Sequence, residues 1–245
     1  MELQQFFQEH KRAALAFSGG TDSALVLRLA HDAGVEVKPY FVKSAFQPEC
    51  ELADAVELAT QLDIELQVLE LDIFACPEAI ENGPRRCYFC KRAIFSAIME
   101  QAKADGFDVI IDGTNASDDA DDRPGMQALQ ELGVLSPLRL CGITKDEIRS
   151  RSKELGLFTA YKPAYACLAT RVPTGKTITQ EQLETVEEAE EVLFALGFTD
   201  VRVRLNGETA RVQLPVEQLL VGEIMKETIR LALLPWFTDV TLEKR

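Results

Sequence analysis

The sequence predicts an α/β fold with a parallel sheet, followed by a small α+β domain. Short apolar runs alternate with helical patterns up to about residue 172, and after Pro173 the order changes to a long helix followed by a hairpin. Alternation of strands and helices is typical of a parallel sheet with helices on both faces. We therefore expect two domains, at residues 1–172 and 173–245.

Four strands and four helices are predicted in the first domain. The strands are expected at residues 13–17, 37–42, 66–71 and 108–112. The helices are expected at residues 22–33, 50–62, 87–105 and 144–155. In such sheets the ligand binds beyond the carboxyl ends of the strands. Polar residues follow three of these ends, so we expect them to converge although they are far apart in sequence: Ser18, Lys43, Ser44 and Asp112-Gly113-Thr114-Asn115.

The second domain is predicted from capping and turn signals. A helix is expected to begin after Thr179, which has Gln182 three residues later, and to stop at Gly197. The pair Asn206-Gly207 is typical of a tight hairpin turn. The remaining elements are strands at 201–205, 210–214 and 237–242 and a helix near 216–232.

Composition limits the classes of function. The chain has 245 residues, 47% of them hydrophobic, and a formal net charge of −14. It can therefore bury a sizeable core, and its acidity argues against broad electrostatic binding to RNA or DNA. The N-terminus lacks signal-peptide character, and no apolar run approaches the length of a membrane span. We expect a cytoplasmic protein with neither a nucleic-acid nor a membrane partner.

The turn between the first strand and the first helix carries the strongest signal, Ser18-Gly19-Gly20-Thr21-Asp22-Ser23. The glycines allow unusual backbone angles, and the first N–H groups of the helix would point at a bound anion. The hydroxyl groups of the turn add donors. A carboxylate beside phosphates needs a cation between them, so Asp22 predicts Mg²⁺. A capped helix after a tight turn is the simpler alternative.

This turn resembles the pyrophosphate loop of ATP pyrophosphatases, which cleave ATP to AMP and pyrophosphate. It is not a Walker A loop, because no Gly-Lys-Ser/Thr follows, and it lacks the pattern G-x-G-x-x-G. The resemblance implies ATP binding and adenylation of a substrate oxygen.

Three of the six cysteines lie at informative positions. Cys87 and Cys90 form a Cys-x-x-Cys pair at the start of a predicted helix, and Cys167 lies near the predicted domain boundary. The pair alone is compatible with a redox dithiol, half of a zinc site or chance. Three thiolates without a nearby His fit an iron–sulfur cluster that has one open iron, whereas a structural zinc site usually takes four protein ligands.

The assembled pattern resembles the LarE-type sulfur transferases over nearly the whole chain. The resemblance is carried by the pyrophosphate loop together with Asp112-Gly113-Thr114-Asn115, Asp122-Arg123-Pro124-Gly125, Ala166-Cys167 followed by Arg171, and Val201-Arg202-Val203-Arg204. It implies a Rossmann-like sheet of the N-type ATP pyrophosphatase (adenine nucleotide alpha hydrolase-like) kind. It also implies a C-terminal domain for substrate binding and oligomerisation.

The activity that the resemblance implies is an ATP-dependent sulfur transfer. ATP would adenylate a carboxylate of pyridinium-3,5-biscarboxylic acid mononucleotide, and a sulfur nucleophile would displace AMP to give a thiocarboxylate. The product serves the nickel-pincer nucleotide of lactate racemase. The partners would be a small anionic nucleotide, a sulfide donor and further copies of the chain, as a homo-oligomer and by resemblance a hexamer.

Family members differ in the source of sulfur. Some use a single cysteine at the position of Cys167 and lose its sulfur in one turnover. This chain also has Cys87 and Cys90, so it resembles the branch in which three cysteines hold a [4Fe-4S] cluster, whose open iron could carry an extra sulfide. We hypothesise a protein that turns over, and a sacrificial Cys167 remains the alternative.

The remaining site residues follow from the resemblance and from the strand pattern. Contacts with ATP are expected from Ser18, Gly19, Gly20, Thr21, Asp22, Ser23, Lys43, Ser44, Gly113, Thr114 and Arg123. Contacts with the substrate are expected from Glu190, Arg202, Arg204 and Arg211. Arg202 and Arg204 share one face of a strand, and guanidinium groups suit phosphate and carboxylate. A solvated sheet face is the alternative for the arginines, as are a plain loop for Lys43 and a surface turn for Arg123.

Three other functions fit parts of the pattern. A tRNA thiolase also pairs this loop with cysteines, although the net charge of −14 counts against it. An amide-forming synthetase such as NAD synthetase would need no cysteine triad. A protein that senses iron–sulfur clusters or ATP without turning over a substrate is the alternative outside enzymes.

Overall fold

The structure is a computed structural model that describes residues 2–118 and 123–245, with the side chain of Arg123 outside the described set. The chain divides into two compact units. The first contains the described residues up to Ala79 and from Arg85 to Tyr165, and the second contains Ile80–Pro84 and Ala166–Arg245. This division falls a few residues before the predicted domain boundary after residue 172 and adds a short internal segment. The assignment of functional domains to 1–172 and 173–245 stays a prediction.

The first unit contains a four-stranded sheet whose strands are all parallel. The strands are β1 (Arg12–Ala16), β2 (Glu36–Lys43), β3 (Gln67–Glu70) and β4 (Ile110–Ile111). Their order is β3-β2-β1-β4, and Ala14 of β1 lies opposite Lys38 of β2 and Ile110 of β4. The predicted α/β fold with a parallel, Rossmann-like sheet is confirmed.

Eight helices surround or extend this sheet in the described residues. They are α1 (Leu3–Glu9), α2 (Thr21–Asp32), α3 (Glu49–Gln61), α4 (Pro77–Ile80), α5 (Arg86–Ala104), α6 (Arg123–Glu131), α7 (Pro137–Leu140) and α8 (Lys145–Glu154). The four predicted helices correspond to α2, α3, α5 and α8. Helix α6 was not predicted, because its first turn contains Pro124 and Gly125, residues that weaken a helical pattern.

The central strand β1 is buried on both faces. Ala13 and Leu15 pack in one apolar cluster with Leu25 of α2, whereas Ala14 packs in a second cluster with Ile98 of α5. Alternate residues of a strand point to opposite faces, so a run without polar positions is what a strand covered on both faces requires.

The second unit is a three-stranded sheet with helices. Its elements are α9 (Gln180–Ala195), β5 (Arg202–Asn206), β6 (Thr209–Leu214), α10 (Val216–Ile224), α11 (Lys226–Leu233) and β7 (Asp239–Lys244). Strands β5 and β6 form an antiparallel hairpin, and β7 pairs with β6 in parallel. The predicted α+β unit is confirmed. The prediction of one helix over 216–232 is wrong, because Met225 leaves the helical conformation with ψ near 8° and separates α10 from α11.

Helix α9 begins with a capping box formed by Thr179 and Gln182, as their spacing predicts. The Thr179 hydroxyl accepts a hydrogen bond from the backbone N–H of Gln182, and the Gln182 side chain accepts one from the N–H of Thr179. This reciprocal pair satisfies two N–H groups that the first turn of a helix leaves without intrahelical partners.

The internal segment 80–84 joins the second unit through one buried side chain. The Nδ2 of Asn82 donates to the carbonyls of Val172, Pro173 and Lys176 at 3.0–3.3 Å. The carbonyl of Asn82 accepts a hydrogen bond from the N–H of Gly175. Asn82 has a φ of +56°, a left-handed conformation that Asn adopts more readily than most residues. It therefore shapes the loop that follows the short 3₁₀ helix Leu168–Arg171.

An ion pair joins the end of α5 to β2. Asp105, which follows the last residue of α5, accepts hydrogen bonds from Lys38 at 2.7 Å and from the Tyr40 hydroxyl at 2.8 Å. These two bonds lower the pKa of Asp105, and burial together with the Asp105 carboxylate raises the pKa of Tyr40. The folded state therefore favours ionised Asp105 and a neutral Tyr40.

We expect Asp105→Asn to reduce the pH dependence of stability in acid. Because folding lowers the pKa of Asp105, its contribution is present above the unfolded value of about 3.9 and is lost as the pH falls through the folded value. Urea unfolding between pH 2 and pH 7 should show a lower free energy of unfolding at neutral pH and a shallower acid decline. The control is Asp108→Asn, since Asp108 is exposed in the same unit. An acid decline as steep as that of the parent protein would contradict this role.

Candidate functional site

The loop between β1 and α2 has a backbone that only glycine permits. Gly19 has a φ of +70°, in the left-handed region, and a Cβ there would lie 2.6 Å from the carbonyl oxygen of Glu51. Gly20 is the N-cap of α2 and is extended, so the first turn of α2 opens directly from the loop. The sequence therefore places a helix N-terminus, with its outward N–H groups, at the carboxyl end of β1.

The hydroxyl groups of the loop have separate roles. The oxygens of Ser18 and Ser23 lie 3.2 Å apart, and the Ser23 hydroxyl also donates to the carbonyl of Gly20 at 3.3 Å. The Thr21 hydroxyl instead donates to the carbonyl of Thr159 at 2.8 Å, deep in the same unit. Ser18 and Ser23 thus remain next to the loop opening, whereas the Thr21 hydroxyl fastens α2 to the 3₁₀ helix Phe158–Tyr161.

A cavity of about 330 Å³ lies at the carboxyl ends of β1, β2 and β4. Its polar lining comes mainly from the loop after β1 and the segment after β4: Ser18, Asp22, Ser23, Asp112, Gly113, Thr114 and Asp118. Its apolar lining comes from β2 and α5 and includes Phe41, Val42, Ile94, Phe95 and Ile98. The volume is in the range of small-molecule sites, with apolar walls and a few converging polar groups.

The residues expected after β2 reach this cavity indirectly. In the described part of the chain, the lining includes Gln47 but neither Lys43 nor Ser44. Lys43 donates to the carbonyl of Gln47 at 2.6 Å and pairs with Glu49 at 2.8 Å. The Ser44 hydroxyl donates to the side-chain carbonyl of Gln47 at 2.6 Å. Both residues therefore orient Gln47, a residue that was not predicted to belong to the site.

Gly113 allows the segment after β4 to touch the first turn of α2. A Cβ on Gly113 would lie 2.7 Å from the backbone nitrogen of Ser23, so any side chain there forces two backbones apart. The preceding Asp112 is buried and accepts hydrogen bonds from the N–H and hydroxyl of Thr114. Burial raises the pKa of Asp112, while its hydrogen bonds act in the opposite direction. This carboxylate shapes the turn beside the cavity.

Asp22, the residue predicted to bind Mg²⁺, is held by two residues distant in sequence. The Nζ of Lys145 lies 2.5 Å from one carboxylate oxygen, and the Nδ2 of Asn115 lies 3.3 Å from the other. Lys145 is the first residue of α8, whose start is fixed by a capping box between Thr144 and Glu147. The residue types did not predict that Lys145 and Asp22 pair, although the capping pattern at Thr144 predicts the start of the helix that carries Lys145.

The two cysteines of the Cys-x-x-Cys pair lie at the start of α5, on a face that lines the cavity farther along. Cys87 and Cys90 precede Lys91 and Ile94 by one helical turn each, and both of these residues line the cavity. Helix α5 leads into β4 of the parallel sheet, so it begins near the carboxyl edge. The cysteine pair is therefore one turn beyond the cavity wall.

Cys167 and the predicted substrate residues belong to the second unit. Cys167 caps the 3₁₀ helix Leu168–Arg171. Arg171 and Glu190 form an ion pair with side-chain exposures of 0% and 1%, at 2.7 Å and 3.0 Å between the paired atoms. One Glu190 oxygen also accepts a hydrogen bond from the N–H of Val203 at 2.8 Å. Glu190 is thus directed into the interior of the unit.

The arginines of the hairpin lie together on one face. Arg202 and Arg204 alternate with the buried Val203, and Arg211 is directly opposite Arg204. Arg204 donates to the Gln213 side chain at 2.6 Å and to the carbonyl of Thr170 at 2.7 Å. Burial lowers the pKa of Arg202 and Arg204, and neighbouring guanidinium groups lower it further. The face concentrates positive charge and is suited to bind an anion.

The described residues set limits on metal and membrane sites. Within them, which include all six cysteines, there is no disulfide and no group of three His, Cys, Asp or Glu side chains close enough together to hold a metal ion. In the same residues no helix is long and apolar enough to span a membrane. The predicted contact of Arg123 with ATP lies outside the described side chains.

Comparisons with known proteins identify the family. The model for the queuosine biosynthesis protein QueC matches residues 12–79. An uncharacterized protein of Synechocystis sp. is 42% identical over 89% of this chain and 81% of its own length. The pyridinium-3,5-bisthiocarboxylic acid mononucleotide synthase of Lactiplantibacillus plantarum is 34% identical over 84% of this chain and 75% of its own length. The chain belongs to the LarE family.

Other relatives match a smaller share of the chain. The tRNA-specific 2-thiouridylase MnmA of Corynebacterium jeikeium is 32% identical over 62% of this chain, which spans 47% of that protein. The predicted LarE resemblance is confirmed, and so is the prediction of an ATP-dependent sulfurtransferase. The roles of the individual site residues stay predictions.

We expect Gly113→Ala to destabilise the first unit. The added Cβ meets backbone at 2.7 Å, so β4 and α2 must separate, which should lower the free energy of unfolding by about 1–3 kcal/mol. Urea unfolding measures this. The control is Gly83→Ala, since a Cβ at Gly83 meets no atom within 4 Å and should change stability by less than about 0.5 kcal/mol. Equal stability of the two variants would contradict the close approach.

Proposed function

We propose that this protein uses ATP to convert a carboxylate of pyridinium-3,5-biscarboxylic acid mononucleotide into a thiocarboxylate. In the first step a carboxylate oxygen attacks the α-phosphorus of ATP, and pyrophosphate leaves. In the second step a sulfur nucleophile attacks the carbonyl carbon, the C–O bond to AMP breaks and a C–S bond forms. The thiocarboxylate would serve biosynthesis of the nickel-pincer nucleotide of lactate racemase.

One observation carries the proposal. A single cavity has the glycine loop on one side and the helix of the cysteine pair on the other. Adenylation and sulfur transfer need an activated acyl group and a sulfur source near each other, and α5 brings two cysteines to within one turn of the nucleotide cavity. The apolar wall of β2 and α5 suits a purine base, and the N-terminus of α2 suits phosphates.

Two cations would neutralise the phosphates, Mg²⁺ and the Lys145 ammonium group. Asp22 and Asp118 both line the cavity, and their carboxylate oxygens are ligands that Mg²⁺ prefers. Bound Mg²⁺ would neutralise phosphate charge. Lys145 already neutralises Asp22 and would contact the departing pyrophosphate once Asp22 turns to the metal.

The arginine face supports the choice of an anionic substrate. Arg202, Arg204 and Arg211 present planar guanidinium groups that pair well with phosphate and carboxylate, both of which the proposed mononucleotide carries. The charge is local, since the chain as a whole carries −14. This combination favours a small anionic ligand over a long nucleic acid.

Three cysteines are proposed to hold a [4Fe-4S] cluster. Cys87 and Cys90 lie three residues apart at the start of α5, and the resemblance to LarE-type proteins adds Cys167 as the third ligand. Cys87, Cys90 and Cys167 are all partly exposed, so their thiols suit ligation of such a cluster. A cluster held by three thiolates would supply one iron with an open position for sulfide.

A homo-oligomer is proposed as well, with a second copy of the chain on α10. Val216, Leu220 and Ile224 recur every four residues along this helix, and Leu220 and Ile224 are 73% and 76% exposed. Such a stripe is typical of a helix face that packs against a partner.

We expect Lys145→Met to weaken ATP-dependent pyrophosphate release. The variant removes a charged partner worth about 1.5–3 kcal/mol, which corresponds to a loss of roughly 10- to 100-fold in kcat/KM for ATP. The measurement is pyrophosphate release together with ATP affinity by calorimetry. Lys103→Met, an exposed lysine of α5, is the matched control. If both variants behave alike, Lys145 has no role at the phosphates.

We expect multiple turnovers after anaerobic reconstitution with iron and sulfide. The protein should bind about four irons per chain with broad visible absorption, and Cys87→Ala and Cys90→Ala should abolish both. Cys50→Ala is the control, because Cys50 is exposed and outside the triad. Product limited to one sulfur per chain, with Cys167 converted to dehydroalanine, would show instead that Cys167 is sacrificial.

A tRNA thiolase is the second candidate, because the tRNA-specific 2-thiouridylases are relatives over about three fifths of the chain. Offering the mononucleotide and tRNA separately to the reconstituted protein distinguishes the two functions. Thiocarboxylate formation on the mononucleotide favours the first, and salt-sensitive tRNA binding with thiolated tRNA as product favours the second.

A further inference from the structure

A buried guanidinium group holds the backbone at Cys167. Arg171 is fully buried and uses Nε and Nη2 to pair with Glu190. Its remaining nitrogen, Nη1, donates to the carbonyl of Ala166 at 2.8 Å and lies 3.5 Å from the carbonyl of Cys167. The same nitrogen donates to the Thr170 hydroxyl at 2.9 Å.

The carbonyl of Cys167 has further donors. It accepts hydrogen bonds from the N–H of Thr170 at 3.0 Å and from the Thr170 hydroxyl at 2.9 Å. The peptide planes before and after the Cα of Cys167 are therefore both held, the first by Arg171 and the second mainly by Thr170. Since two fixed peptide planes fix the direction of the Cα–Cβ bond, the thiol extends from a fixed Cβ and is limited to the staggered rotamers about that bond.

The anchor of Arg171 lies in the sheet of the same unit. Glu190 on α9 receives the N–H of Val203 on β5 as well as the guanidinium group. The chain of contacts thus runs from β5 through Glu190 and Arg171 to the backbone at Cys167. A guanidinium group carries five donors on three nitrogens in one plane, so two nitrogens can hold both oxygens of a carboxylate while the third donates to a carbonyl; the three donors of a lysine share one nitrogen and cannot reproduce this geometry.

Stability alone does not account for this pair. Desolvation of two buried charges offsets much of their attraction, and well-packed apolar side chains of similar volume often stabilise a fold equally well. What apolar side chains cannot do is donate a hydrogen bond to the carbonyl of Ala166.

We propose that Arg171 is a positioning residue that fixes the backbone at Cys167, and with it the point from which the thiol extends, with Glu190 as its anchor. The inference rests on the proposed function, in which Cys167 ligates the cluster or supplies sulfur. It also assigns Glu190 the role of holding Arg171 in the interior of the unit, in place of the predicted contact with substrate.

The test compares the full-length double variant Arg171→Met/Glu190→Met with the parent protein. Its matched control is Arg230→Met/Glu227→Met, which removes an exposed ion pair of the same unit. Hydrogen exchange should become at least about tenfold faster at residues 166–171 and stay unchanged in α9. Sulfur transfer should fall at least tenfold in kcat, while ATP-dependent pyrophosphate release and the KM for ATP remain those of the parent.

Arg171→Lys tests the same point if the double variant does not fold, because it keeps the buried charge and loses the fork. Parent-like exchange at residues 166–171 together with parent-like kcat, in whichever variant folds, would overturn the proposal. The proposed function fails separately, if Cys167→Ala keeps full sulfur transfer. The exchange measurement reports on positioning in either case, because it does not depend on activity.

Discussion

The close approach of two backbones at Gly113 is the constraint on which the first unit's site depends. The segment after β4 meets the first turn of α2 so closely that a Cβ would lie 2.7 Å from the nitrogen of Ser23. This contact sets Asp112 and Thr114 beside the glycine loop and places Asn115 within reach of Asp22. A parallel sheet brings the carboxyl ends of β1 and β4 to one edge, and the absence of a side chain at Gly113 lets them close around one cavity.

That closure gathers negative charge where an anion is proposed to bind. Asp22, Asp112 and Asp118 all line the cavity. Burial raises the pKa of Asp112 and so favours its neutral form, which avoids the free-energy cost of a buried charge. Lys145 neutralises Asp22. A triphosphate bound there would be repelled by the ionised carboxylates unless a cation lay between them, and Lys91 and Lys145 supply positive charge beside the cavity.

Local patterns predicted much of this arrangement, and long-range contacts did not follow from them. The strand, glycine loop and helix from Ala13 to Asp32 are adjacent in sequence, so their order and turn chemistry could be predicted. Lys145 lies far along the chain from Asp22, and no local pattern connects them. The hydrogen bond from the Thr21 hydroxyl to the carbonyl of Thr159 is equally long-range, so no local pattern predicts it. Lys43 and Ser44 contact Gln47 and do not line the cavity, because packing sets the direction of side chains after a strand.

The second unit shows one residue type in two settings. Arg171 is buried and paired with Glu190, whereas Arg204 of the hairpin donates to two neutral acceptors, the Gln213 side chain and the carbonyl of Thr170. Around β5 and β6, Arg211 and Arg245 form ion pairs with Glu243 and Asp200. Burying a guanidinium group costs free energy unless its charge is compensated. Burial, and after it the neighbouring guanidinium groups, lowers the pKa of Arg202 and Arg204, and an anion on the hairpin face would oppose this shift by favouring the charged guanidinium groups.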